Sequence, residues 1–144
     1  MIESLILEND LGELTRLTDW IDGLGESIGL SGGNVFAINL ALEEIVTNVM
    51  KYSYGPDKKL PIEIHLKWEN GVLEVAVEDQ GEAFNPLEVA APDMDLELDE
   101  MKIGGLGLHL VRQKMDEVTY ARERGRNILT LVLRPGSKGK KAGT

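Results

Sequence analysis

The chain has 144 residues, 42% of them hydrophobic, the size of one domain with enough apolar side chains to bury a real core. Its formal net charge of -10 argues against a nucleic-acid-binding surface, which needs clustered Lys and Arg, but leaves nucleotide binding open, because backbone N–H groups, a helix N-terminus and a metal ion can carry phosphates. With no cysteine, the chain cannot use disulfides, thiolate zinc sites or thiol catalysis.

Residues 2–8 read as a short strand. The start lacks a basic region followed by a long apolar run, so no signal peptide is expected. No stretch approaches the roughly 20 apolar residues of a membrane span, so the expectation is a cytoplasmic protein with no membrane contact. Asp10 with Glu13 three residues later forms a capping-box pattern, and Leu11, Leu14, Leu17, Ile21 and Leu24 follow at helical spacing. Gly29 and Ser31-Gly32-Gly33 break that helix. A second helix is predicted over residues 34–53, with Val35, Ile38, Leu42, Ile45 and Val49 as its buried stripe.

Two strands come next. Residues 61–69 alternate Ile62, Ile64, Leu66 and Trp68 with Glu63, His65, Lys67 and Glu69. Asn70-Gly71 signals a type I′ hairpin, after which residues 72–79 put Leu73, Val75 and Val77 on one face. The pattern predicts an antiparallel sheet with one face in water and helices on the other. Over residues 83–103 periodicity fails; Pro86, Pro92 and an acidic run from Asp93 to Glu100 suggest a functional lid. Residues 106–116 then read as a helix, 118–123 as a strand, Gly125-Arg126 as a turn and 127–134 as a last, nearly all-apolar strand. Residues 1–134 are expected to form a single domain, and 135–144 a disordered tail.

Three short segments carry the chemistry. Glu44 and Asn48, four apart on a helix, lie about 40° apart in projection, at the border of the apolar stripe. An Asn amide oxygen suits Mg²⁺, and a neighbouring carboxylate can accept a proton from an attacking hydroxyl; a polar flank of an amphipathic helix is the alternative. Asp79-Gln-Gly81 ends a strand, where an ordinary turn competes with an adenine acceptor whose glycine leaves room for the base, Phe84 and Pro86 shaping the rim. Gly104-Gly105-Leu106-Gly107-Leu108 opens a helix, where each glycine costs roughly 1 kcal/mol relative to Ala. Close approach of backbone N–H groups to phosphate explains them, as does a tightly packed hinge. Among other residues, His65 fits a solvated sheet face, and His109 and Arg112 lie either near phosphate or in water. Lys51 belongs to a helix face, and Thr130 either reaches the base through water or satisfies itself in the core.

Taken in order, these segments resemble the GHKL ATPase superfamily and its Bergerat fold, and more closely the stand-alone anti-sigma factor serine/threonine kinases of bacterial partner-switching systems. The resemblance covers roughly residues 2–134: Leu42-Glu-Glu44-Ile-Val-Thr-Asn48 matches the N box, Val77-Glu-Asp79-Gln-Gly81 the first glycine box, and Gly105-Leu-Gly107-Leu the second. It implies an α+β two-layer sandwich, mostly antiparallel sheet with helices on one face and an ATP lid over residues 83–103. It implies Asn48 as the Mg²⁺ ligand, Glu44 as catalytic base and Asp79 as adenine acceptor. Lys51, Gly81, Ala83, Phe84, Lys102, Gly104, Gly105, Leu106, Gly107, Leu108 and Thr130 would line the nucleotide site. The implied reaction moves the γ-phosphoryl group of ATP to a serine or threonine of an anti-anti-sigma (STAS-type) partner. A sigma factor or other regulator is the implied second partner, and relatives are usually homodimers. A non-catalytic, nucleotide-dependent binding regulator of the same fold is the alternative. Ala83 departs from the family pattern, standing where a second glycine is usual, which bears on the lid hinge and not on adenine contact.

Overall fold

The structure is a computed structural model, and it describes residues 1–88 and 105–136. In chain order the elements are β1 (Ile2–Leu7), α1 (Glu13–Ile28), α2 (Gly32–Asn48), a π-helical turn (Val49–Tyr54), β2 (Ile62–Glu69), β3 (Val72–Asp79), a 3₁₀ turn (Pro86–Glu88), α3 (Gly105–Lys114), β4 (Glu117–Glu123) and β5 (Arg126–Leu133). All strands pair antiparallel in the order β1-β2-β3-β5-β4.

The period-2 patterns decide which face is buried. Ile62, Ile64 and Leu66 of β2, Leu73, Val75 and Val77 of β3, and Leu129, Leu131 and Leu133 of β5 are all buried. They meet Ala37, Ile38, Ala41, Leu42, Ile45 and Val46 of α2 and Leu17 and Ile21 of α1 in one core. Each large aliphatic side chain buried here contributes about 1.5–3 kcal/mol relative to exposure, which is why a strongly acidic chain still folds. The opposite face is polar: Arg126 Nη1 donates to Glu63 Oε2 at 2.8 Å, and His65 Nε2 lies 2.9 Å from Glu78 Oε2. Register sets Asp79 directly opposite Asn127 at one end of the two central strands.

Several boundaries differ from expectation for identifiable reasons. α1 starts at Glu13, not Asp10: the Asp10 carboxylate accepts from Gly12 N two residues on, and Glu13 Oε2 accepts from Glu8 N at 2.9 Å. The chain thus closes a local turn before it can become helical. α2 starts at Gly32, capped by Ser31 Oγ, which accepts from Asn34 N at 3.1 Å. Its regular winding stops at Asn48, where a π turn takes over with an i→i+5 bond from Gly55 N to Met50 O at 3.0 Å. The β4–β5 turn is Arg124-Gly125 rather than Gly125-Arg126, with φ values of 52° and 77°. Those angles match the type I′ turn at Asn70-Gly71, at 55° and 73°. Of the lid expected over residues 83–103, residues 89–103 lie outside the described residues, as do 137–144 of the expected tail. Among the described residues, no helix is long and apolar enough to cross a membrane.

Candidate functional site

Four elements meet at the Asp79 end of the sheet. Asp79 is 2% exposed, and its Oδ1 accepts from Ser53 Oγ at 2.5 Å, Gly81 N at 2.9 Å and Asn127 Nδ2 at 2.9 Å. No hydrogen bond among the described residues reaches Oδ2. Three donors on one oxygen stabilise a buried carboxylate and fix its plane.

Asn127 is the hub of this network. Its Nδ2 also donates to Ser53 Oγ at 3.0 Å and to the carbonyl of Glu82 at 2.7 Å. Its Oδ1 accepts from Phe84 N at 3.2 Å and from the hydroxyl of Tyr120. The amide cannot be turned over, because its oxygen would then face a carboxylate and a carbonyl. Around it, Tyr54 Oη accepts from Gln80 N at 2.9 Å, and Arg122 Nη1 donates to Gly81 O at 2.8 Å.

Gly81 has a steric reason within the fold itself, beside the expected one of leaving room for a base. A Cβ there would stand 2.4 Å from both the carbonyl oxygen and the hydroxyl of Ser53. The glycine makes room for Ser53, whose carbonyl in turn accepts from Glu82 N at 3.1 Å. Ala83 has no positive φ, so its backbone does not require glycine.

A cavity borders this network, walled by Ile45, Asn48, Val77, Asp79, Phe84 and Tyr120, among others. Its ≈ 20 Å³ holds about one water. Phe84 also stacks on Tyr52, with ring centroids 5.2 Å apart.

The other end of the site lies along α2. Asn48 is buried and lines the cavity; Glu44 sits one turn earlier, half-buried, with Oε1 out of solvent and without a hydrogen-bond partner among the described residues. Burial pushes the Glu44 carboxyl above its ordinary range, Lys51 opposes that shift, and Glu43 adds to it. A carboxylate so placed is a stronger proton acceptor than an exposed one. Among the described residues no group of three or more His, Cys, Asp or Glu is arranged to hold a metal, and the Asn48 amide offers a single oxygen donor. Such a sparse set fits Mg²⁺ held largely by phosphate oxygens and water.

The remaining expected residues divide. Lys51 is exposed and lines a separate groove with Lys58, Gly81 and Glu82. Gly105, Leu106 and Gly107 form the first turn of α3, and Leu108 is buried in the core. Lys102 and Gly104 lie outside the described residues. Thr130 is a correction: strand alternation turns it away from Asn127 and Leu129, to the outer face, between Ala76 and Thr119. The inward polar residue of β5 is Asn127. Sequence reasoning missed it although its register partner Asp79 was identified; pairing the strands residue by residue finds it. Ser53 and Tyr120 were also missed, and Ser53 had no signal, since only the π turn brings it inward.

The family described as histidine kinase-like ATPase domain matches residues 7–133. The serine/threonine-protein kinase BtrW of Bordetella bronchiseptica is 29% identical over 121 residues, covering 82% of this chain and 85% of the relative. The serine-protein kinase RsbW of Staphylococcus aureus is 29% identical over 117 residues, covering 78% and 72%. Among solved structures, one of the RsbU and RsbW domains of a Mycobacterium tuberculosis protein superposes with a TM-score of 0.67 at 16% identity, covering 93% of this chain and 32% of that one. The histidine kinase domain of a blue-light activated kinase from Erythrobacter litoralis gives 0.54 at 17%, covering 90% and 62%. The chain therefore spans about a third and under two thirds of those two molecules, and both likenesses concern the fold.

Proposed function

Because the chain belongs to the histidine kinase-like ATPase family, we propose that it is an ATP-dependent protein serine/threonine kinase of an anti-sigma partner-switching system. Relatives named as serine kinases, matched over most of both chains, support the activity. The observation that carries the assignment of the base is Glu44 Oε1, buried and without a partner among the described residues, one turn from Asn48.

In this reading Asp79 accepts the adenine amino group, and the N-terminal turn of α3 faces the phosphates with its free N–H groups. Asn48 would hold Mg²⁺, which would supply neutralisation of the phosphate charge. The partner's hydroxyl oxygen forms a bond to the γ-phosphorus while the bond from that phosphorus to the β,γ-bridging oxygen breaks and ADP leaves. The hydroxyl proton passes to Glu44. The acceptor is a serine or threonine on a small anti-anti-sigma protein of the STAS type; a sigma factor is the alternate partner, and the protein acts as a homodimer.

Incubation with γ-labelled ATP, Mg²⁺ and candidate acceptor proteins tests this. Label appears on a serine or threonine of one acceptor with the wild type and not with Glu44→Gln, while both bind ATP equally. ATP binding with no transfer to any acceptor would instead make the protein a nucleotide-dependent binding module.

A further inference from the structure

We propose that Asn127 is a positioning residue that sets purine selectivity and latches the stem of the segment following β3. The proposal rests on the nucleotide reading above. Asn127 is 4% exposed, and none of its polar capacity is idle: two Nδ2 protons serve Asp79 Oδ1, Ser53 Oγ and Glu82 O, while Oδ1 serves Tyr120 and Phe84 N. One side chain thus holds the acceptor carboxylate and two backbone positions, 82 and 84, that lead out of the site.

The consequence for recognition lies in which oxygen of Asp79 is left. Asn127, Ser53 and Gly81 all load Oδ1, and among the described residues no hydrogen bond reaches Oδ2, which leaves Oδ2 as the acceptor for a base. A 6-amino purine donates to that oxygen; a 6-oxo purine presents a second acceptor there and is rejected, because neither group carries the proton. Without Asn127 the carboxylate loses one of three tethers and can turn about its own axis. Rejection of the 6-oxo group then weakens. The carbonyl of Glu82 loses its Asn127 contact, keeping the weaker one from Ser53 Oγ at 3.2 Å, and Phe84 N loses its acceptor. Purine choice and stem placement therefore loosen together.

The test compares ATP with inosine triphosphate, which differ at position 6 of the purine, by calorimetric titration of the full chain. Wild type is expected to prefer ATP by about a hundredfold, and Asn127→Ala by about tenfold or less, with ATP binding weakened and inosine triphosphate affinity held or raised. A variant that loses affinity for both nucleotides equally, leaving the ratio at its wild-type value, overturns the latch and leaves a structural role. Wild type binding neither nucleotide overturns the underlying nucleotide reading instead. Should Asn127→Ala fail to fold, the wild-type protein still decides: ATP, and not inosine triphosphate, is expected to shift the Asn127 side-chain amide and the Phe84 backbone amide together in ¹⁵N spectra. ATP binding that leaves both resonances in place sinks the proposal.

Discussion

The two ends of the site are built on opposite principles. At the Asp79 end the buried side chains partner one another: Ser53, Tyr54, Asp79 through its Oδ1, Asn127, Tyr120 and the backbone from Gln80 to Phe84 are bonded across the π turn, β3, β4 and β5. At the Glu44 end a buried carboxylate oxygen has no partner among the described residues, and its acid form is favoured by burial. A satisfied network holds its geometry before a ligand arrives, whereas an unsatisfied buried group costs stability and persists where something else is to pair with it. In the proposed reading, recognition belongs to the first end and proton transfer to the second.

The largest way to break that contrast is Glu44→Gln, which keeps the shape and removes the proton acceptor. Phosphotransfer should fall by about 10²–10⁴-fold with ATP affinity unchanged, as read by single-turnover labelling and calorimetry. The same carboxylate gives the wild type an acid limb. A base works deprotonated and burial raises its pKa, so the rate should climb with rising pH through a midpoint above the ordinary carboxylate value of 4.5. A pH–rate profile flat across that range would remove Glu44 from the reaction. At the other end, Asp79→Ala should weaken ATP binding by about 10–100-fold in calorimetry, because it strips the acceptor and strands three donors. Gly81→Ala drives a methyl into Ser53 and should destabilise the fold by about 1–3 kcal/mol in urea unfolding. The smallest effect is expected on the outer face, away from both ends. Arg126→Ala removes the hydrogen bond that holds the Glu63 carboxyl below its ordinary range, and this part-exposed pair should be worth less than ~1 kcal/mol. Because the folded pKa of Glu63 is lowered, its contribution is present above the ordinary carboxylate range and lost as pH falls through the lowered value. Acid unfolding curves of wild type and variant should therefore converge at low pH.

Much of this arrangement is legible in the chain because burial follows period. The alternation in β2 and β3 and the stripe of α2 fix which side chains face inward, and Asn70-Gly71 fixes a hairpin. Glu44, Asn48 and Asp79 stand out because each is a polar residue at the margin of an apolar pattern. What stayed hidden depends on contacts distant in sequence. Asn127 and Asp79 are paired by a register that no local window contains, Thr130 looked functional because it was the visible hydroxyl in its strand, and the steric need for Gly81 comes from Ser53 on another element. The start of α1 moved because Asp10 and Glu13 found nearer partners than a helix end.

An α-helix that takes in one surplus residue relaxes into a π turn, and the chain does so between Val49 and Tyr54. Shortening that stretch by a single amino acid would restore a smoother, more regular helix and swing Ser53 and Tyr54 out from under Asp79 and Gln80. The irregular version is the one that reaches the Asp79 end of the sheet, so a designer straightening this helix for stability would cut the polar link from its C-terminal end to β3.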